Sequence, residues 1–212
     1  VSGNPGQPPF RIMLDYFALL RQPRRPWLEE EPLKQQFLTL SADAHPDRVH
    51  AATAEEKAAA TQRFTELNSA YNCLKEPRDR VRHLVELELG RRPGDLKNVP
   101  GDLADAFMRI ATASRTTGQL VAEKSQIHSP LLQAAFFEKI QPHLDTLEDL
   151  QREVSGLHQI ALQRLRSLDE LWQKDPSRHA EVLPQLEDLA QVLGFHARWQ
   201  AQLQEAHLRL TL

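Results

Sequence analysis

Leu33-Lys34-Gln35-Gln36-Phe37-Leu38-Thr39-Leu40-Ser41-Ala42-Asp43-Ala44-His45-Pro46-Asp47 is the stretch whose reading decides the fold of this 212-residue chain. Leu33, Phe37, Leu40 and Ala44 recur at steps of three and four, the spacing of an amphipathic helix from about Glu30 to Ala44. Pro32 suits the first turn of that helix. Pro46 disfavours helical geometry at His45 and stops the helix there. Beyond the stop, Thr53-Ala54-Glu55-Glu56 reads as a capping box, and Ala60, Phe64, Leu67, Tyr71 and Leu74 follow on one face of a second helix, roughly Ala54 to Lys75. Two such helices joined by a short polar connection pack antiparallel, Phe37 and Leu40 against Phe64, Leu67 and Tyr71. The turn then presents His45 and Asp47.

Working outward, Leu14-Asp15-Tyr16-Phe17-Ala18-Leu19-Leu20 precedes the hairpin and Glu76-Pro77-Arg78-Asp79-Arg80-Val81-Arg82-His83-Leu84 follows it, each a short amphipathic piece. The expected unit has four helices. Between Leu89 and Leu103 the run Gly90-Arg91-Arg92-Pro93-Gly94-Asp95-Leu96-Lys97-Asn98-Val99-Pro100-Gly101 concentrates helix breakers, as a domain boundary does. Asp102 is read as the cap of a further helix with Leu103, Phe107, Ile110 and Leu120 on or near one face. Ser129-Pro130 starts a long helical pattern that includes Phe137, Ile140, Leu144, Leu147, Leu150, Val154, Leu157, Ala161, Leu165, Leu168 and Trp172, with Pro142 and Gly156 as points of kinking or division. Asp175-Pro176-Ser177 makes a turn, and Val182, Leu186, Leu189, Leu193, Leu203 and Leu210 mark a last helix. The reading is an all-α chain: a tail over 1–12, a four-helix domain over 13–90, a linker over 91–101, and an antiparallel bundle of three main helices over 102–212. The Pro176 turn favours burial of the stripes within one chain over coiled-coil association, so a monomer or weak dimer is expected.

Composition excludes several classes. Apolar residues make up 41% of the chain and the net charge is -3, which offers no reason to expect nucleic-acid binding. One cysteine, Cys73, has no intramolecular disulfide partner and supplies no thiolate cluster for zinc or iron and sulfur; it reads as a structural thiol beside the buried stripe. No apolar run reaches about 18 residues, so no membrane span is expected. Val1 to Pro9 lacks the apolar core of a signal peptide, which gives the cytosol as the expected location. No glycine-rich phosphate loop follows a strand, and no cofactor, metal or catalytic residue is expected. His45 with Asp47, or His143 with Asp145, would need a converging third group to act as metal ligands or an acid–base pair.

The chain from about Leu14 to Leu89 resembles the J-domain of DnaJ-type co-chaperones, on Asp15-Tyr16-Phe17 with Leu19-Leu20 in a short first helix, two antiparallel helices flanking His45-Pro46-Asp47, and Leu67-Asn68-Ser69-Ala70-Tyr71-Asn72-Cys73-Leu74-Lys75-Glu76-Pro77-Arg78-Asp79-Arg80 at the end of the third helix and the turn after it. Leu14-Asp15-Tyr16-Phe17 and a helical carboxy-terminal half of this length resemble the iron-sulfur branch, HscB and its relatives. The resemblance implies an adaptor without enzymatic activity of its own. It docks on a DnaK-class ATPase chaperone through His45, Pro46 and Asp47, with Arg48 and Lys34 beside them, stimulates ATP hydrolysis, and delivers an iron-sulfur cluster scaffold protein. Pro46 fixes the loop, and His45 and Asp47 supply polar contacts to the partner.

Two departures accompany the resemblance. The helix before the tripeptide is rich in Lys and Arg in most J-domains, whereas here Lys34 stands among Glu30, Glu31 and Asp43, and Ala44 takes the place of an aromatic before His45. Electrostatic steering is therefore expected to be weaker than usual, with Arg48, Arg24 and Arg25 compensating in part. In the branch, the first helix after the linker carries an apolar patch among acidic residues that receives the scaffold; Phe107, Met108 and the smaller Ala111 keep the apolar character, but the acidic partners are missing, with Arg109, Thr112 and Arg115 nearby. These departures leave room for a J-protein with another client, or for a helical scaffold or oligomerisation protein whose J-like half has lost chaperone coupling.

Overall fold

The computed structural model describes residues 13–44, 53–92, 94 and 101–212, with the side chains of 101 and 102 outside the description. The protein is all-α. By its contacts the chain divides into two compact units, 1–93 and 94–212.

In the amino-terminal unit, α1 spans Tyr16–Leu19, α2 Glu30–Asp43, α3 Ala54–Lys75 and α4 Pro77–Leu89. The first helix is a single turn, which local hydrogen bonding alone does not hold together in water. Asp15 caps it by accepting from the Phe17 and Ala18 backbone N–H groups, at 3.0 and 3.1 Å. Phe17, Leu19 and Leu20 fix it to the core. The capping box at the start of α3 is formed: Thr53 Oγ1 accepts from the Glu56 N–H at 3.2 Å and Glu56 Oε2 accepts from the Thr53 N–H at 2.8 Å. α2 and α3 make the expected hairpin, with Phe37 stacked on Tyr71 at 4.3 Å between ring centroids and Leu33, Leu40, Leu67, Ala70 and Leu74 buried. Pro77 opens α4, and Gly90 closes it in the left-handed conformation (φ 64°), where a Cβ is unfavourable.

Two polar side chains complete this small core. Arg80 is buried and donates to the Pro26 carbonyl at 2.8 Å and the Leu74 carbonyl at 2.6 Å, with its guanidinium 5.8 Å from the Trp27 ring centre. It fastens the segment between α1 and α2 onto α4. His83 is also buried; its Nε2 accepts from the Tyr16 N–H at 3.1 Å while its ring stacks on Tyr16 and Phe17.

In the carboxy-terminal unit, α5 spans Gly101–Lys124, α6 Pro130–Lys174 and α7 His179–Thr211, with a 3-10 turn over Pro176–Arg178 between the last two. α5 covers only the first half of α6, as the pairs Lys139–Glu123, His143–Thr117 and Glu153–Arg109 show. Leu103, Ala106, Ile110 and Ala113 of α5 meet Phe136, Ile140, Leu144, Leu147, Leu150 and Val154 of α6 and Trp199, Leu203, Ala206 and Leu210 of α7 in one core. Beyond α5 the rest of α6 and the start of α7 form a two-helix hairpin. Asp175 closes its turn by accepting from the Ser177 N–H at 2.9 Å, and His179 stacks on Trp172 with ring centres 3.5 Å apart.

Several readings of the sequence need correction. Phe136, not Phe137, enters the core: Phe137 is 54% exposed, because Ile140 and Leu144 set the inward stripe and a step of four back from Ile140 lands on Phe136. Phe107 does not share the inward face of α5 with Leu103 and Ile110 and is itself 54% exposed. Finally, α6 is not divided at Pro142 or Gly156. Pro142 removes one backbone donor, but Pro142 and Glu138 are both exposed, so the carbonyl left without that donor is on the solvent side of the helix. Gly156 is exposed as well. α5 begins at Gly101, one residue before the expected cap at Asp102.

Candidate functional site

The outer face of α2 carries Lys34 exposed to solvent and runs towards the connection between the two hairpin helices. α2 ends at Asp43, and Ala44 closes it by donating to the Leu40 carbonyl at 3.1 Å. α3 begins after Thr53. His45, Pro46, Asp47 and Arg48 fall in the span between, outside the described residues. Both flanks of that span are fixed, by the α2–α3 core on one side and the capping box on the other.

Lys34 stands within a turn of Glu30 and Glu31, and no other Lys or Arg follows it in α2. One turn beyond Lys34, Leu38 is 48% exposed; among the described residues of α2 and α3 it is the one large apolar side chain left in solvent. Leu38 belongs to neither the inward stripe nor the charged set, so helical spacing alone does not single it out. Arg24 does not supply a free cation: it pairs with Asp15 at 2.8 Å and with Glu88 at 3.5 Å. Burial pushes the Asp15 carboxyl up, but the Arg24 hydrogen bond and the Ala18 and Phe17 N–H groups outweigh it and hold the group below the usual carboxylate range. These charges tie α1 to its neighbours. Burial also pushes the Cys73 thiol up to about 12, and its Sγ lies 3.5 Å from the Asp79 carbonyl, so it is an unreactive structural group.

On α5, Phe107 and Met108 are both exposed, Met108 to 64%, and Ala111 is half-buried on the same side. The three lie together on the solvent side of a helix whose opposite side, Leu103, Ala106, Ile110 and Ala113, fills the bundle. Beside them a shallow depression between α5 and α6 is lined by Asp105, Met108, Arg109, Glu153 and Leu157. Arg109 is ion-paired with Glu153, so its charge is partly compensated from α6, which the sequence of α5 alone does not reveal. His143 is bound to the buried Thr117 hydroxyl at 2.9 Å, and burial lowers its pKa from the ordinary value. Asp145 instead accepts from Gln141 at 3.0 Å. The structure thus gives His143 and Asp145 separate partners. Among the described residues, no group of three or more His, Cys, Asp or Glu is placed to hold a metal, and no helix is long and apolar enough to cross a membrane.

Comparison with known proteins agrees with this architecture. Residues 15–83 match the DnaJ domain family. A relative described as a co-chaperone protein HscB homolog, from Shewanella loihica, is 25% identical over 194 residues, covering 91% of this chain and 97% of its own length. HscB homologs from Bordetella avium and Chromobacterium violaceum are 35% and 34% identical over 72 and 73 residues, about a third of this chain and 43% and 42% of their own lengths. The fold is shared with the HscB chaperone of Vibrio cholerae (TM-score 0.63, 19% identity, 93% of this chain and 99% of that one). Human HscB gives the same TM-score at 15% identity, with 96% and 93% covered. The amino-terminal unit therefore contains a DnaJ domain, in a chain similar to the HscB co-chaperones along nearly its whole length.

Proposed function

We propose that this protein is a J-protein co-chaperone that docks on a DnaK-class chaperone, stimulates its ATP hydrolysis and delivers an iron-sulfur cluster scaffold protein to it. The observation that carries the reading is the α2–α3 hairpin within a matched DnaJ domain, whose helices are joined by a connection that contains His45-Pro46-Asp47. Residues 13–90 form the chaperone-docking domain, 91–101 the linker and 102–212 the client-binding domain. Lys34 and Arg48 add cationic contacts to His45, Pro46 and Asp47. Pro46 narrows the loop's conformations before binding, which lowers the entropy lost on docking. The catalytic groups belong to the chaperone; this chain selects which of its states is favoured.

On the other domain, exposure of Phe107 and Met108 beside Ala111 supports a client surface, since side chains of that size contribute most when a partner covers them. Glu153 compensates Arg109 beside Met108, and Asp105 lines the same depression, so positive charge does not dominate there, which supports a client contact led by apolar burial. The protein acts as a non-enzymatic adaptor in the cytosol, without a resident cofactor.

Single-turnover ATP hydrolysis by DnaK-class chaperones of the same organism tests this reading, with wild-type protein and with His45→Gln, each with and without a candidate scaffold. Stimulation that rises further with scaffold and disappears in His45→Gln is expected. Stimulation indifferent to every scaffold would leave a J-protein with another client; no stimulation by folded wild-type protein would sink the co-chaperone reading.

A further inference from the structure

We propose that α2 docks on its partner chaperone through an apolar contact centred on Leu38, against a counter-surface that offers an apolar socket rather than the acidic patch a basic helix would require. The proposal rests on the co-chaperone reading above and adds the chemistry of the partner's surface. Lys34 and Leu38 are one turn apart on the same outer stripe, and exposed Ala42 continues it towards residue 45. The inward positions, Leu33, Phe37, Leu40 and Ser41, are taken up by the hairpin core. Whatever covers the end of α2 nearest the connection therefore meets Leu38 first among large apolar groups.

Charge on this helix argues in the same direction. Glu30, Glu31 and Asp43 outnumber Lys34. The first two lie three and four residues before the ammonium, within reach of it on the helix surface. Gln35 does not add to the positive side, and its amide donates to Glu31 at 2.7 Å. On α2 an acidic partner surface would gain one cation that has two carboxylates within a turn of it. Arg24, one of the cations outside the helix, is committed to Asp15 and Glu88. Complementarity is better served by removing the exposed part of Leu38 from water, a contribution that salt does not screen.

The test is the concentration of full-length protein that gives half-maximal stimulation of a DnaK-class ATPase, for wild type and Leu38→Ala, at about 50 and 300 mM salt. Leu38 is 48% exposed and is not among the buried core residues, and circular dichroism of the variant checks the fold. The wild-type concentration is expected to change by less than about threefold between the two salts, and Leu38→Ala to raise it about tenfold at both with the maximal rate unchanged. A steep salt dependence of wild type, or a Leu38→Ala variant within about twofold of it, overturns the apolar socket and leaves co-chaperone activity standing. Absence of wild-type stimulation at either salt overturns the underlying reading, and the proposal with it.

Discussion

The two units hold their helices in place by different means. The amino-terminal unit has one helix of a single turn and two of 13 and 14 residues, and it secures them with polar groups: buried Arg80 on two carbonyls, buried His83 on the Tyr16 N–H, and half-buried Asp15 on the start of α1. The carboxy-terminal unit, with α6 running 45 residues, relies on long apolar stripes that interlock over many turns. Short helices bury too little apolar surface to fix their relative positions, and a donor or acceptor that fits one place only makes up the difference. The hairpin whose connection contains residues 45–47 stands on the first kind of support. Its orientation should be sensitive to single polar substitutions that would pass unnoticed on the outer surface of the bundle.

The largest effect is expected where that support is concentrated. Arg80→Met leaves the Pro26 and Leu74 carbonyls without this donor and should destabilise the amino-terminal unit by about 3 kcal/mol in urea denaturation of the full chain. Lys124→Met, which removes a donor to the Leu210 carbonyl close to the end of α7, should cost less than about 1 kcal/mol. Equal costs would erase the contrast between the units.

A smaller effect follows from His83. Burial depresses its pKa to about 4, with the Asp15 charge opposing and Arg24 and Arg82 adding to the depression. The unfolded chain binds this proton near the ordinary value of about 6.5, so it takes up protons that the folded unit refuses as pH falls. The stabilisation is complete above about pH 6.5 and lost progressively down to about pH 4, amounting to about 2 kcal/mol between pH 7 and 5. Measured as the pH dependence of urea denaturation, that slope should flatten in His83→Gln, although the variant is less stable at pH 7. An unchanged slope would mean that the α1 anchor does not titrate through this ring.

The smallest effect belongs to the bundle. Gly156 lies in the middle of α6 with nothing within 4 Å of an added Cβ, so Gly156→Ala should raise stability by about 0.5 to 1 kcal/mol, read as a higher thermal midpoint. A loss would show that α6 needs to flex at this point, and that its length is not supported uniformly by packing.

Much of this was legible in the sequence for a simple reason: helix ends and amphipathic periods are local. The Thr53-Glu56 box, the Pro77 start, the Pro176 turn and the inward stripes from Leu144 to Trp172 and from Val182 to Leu210 follow from spacing and cap chemistry within a few residues. His45-Pro46-Asp47 stood out because two such patterns end and begin around it. Spacing was less decisive where two apolar residues adjoin. Phe136 and Phe137 are both compatible with a helix, and only the register set by its neighbours across the bundle chooses between them. The same holds for Phe107, whose exposure depends on where α6 and α7 lie around α5.

Local periods and breakers are enough to prescribe an all-α chain with a helical hairpin bearing His-Pro-Asp and a longer helical half behind it. What each polar and boundary residue does emerges only once the helices are packed together. Arg80 and Arg82 are two residues apart and chemically identical, yet one is buried on two carbonyls and the other pairs with Asp79 at the surface. His83 becomes an acceptor for α1, Arg24 is tied up in ion pairs, and Leu38 and Phe107 are left in solvent. The physical reason is that burial and pairing depend on groups brought close by folding from far along the chain, 54 residues away for Arg80 and 67 for His83, and no local pattern carries that information.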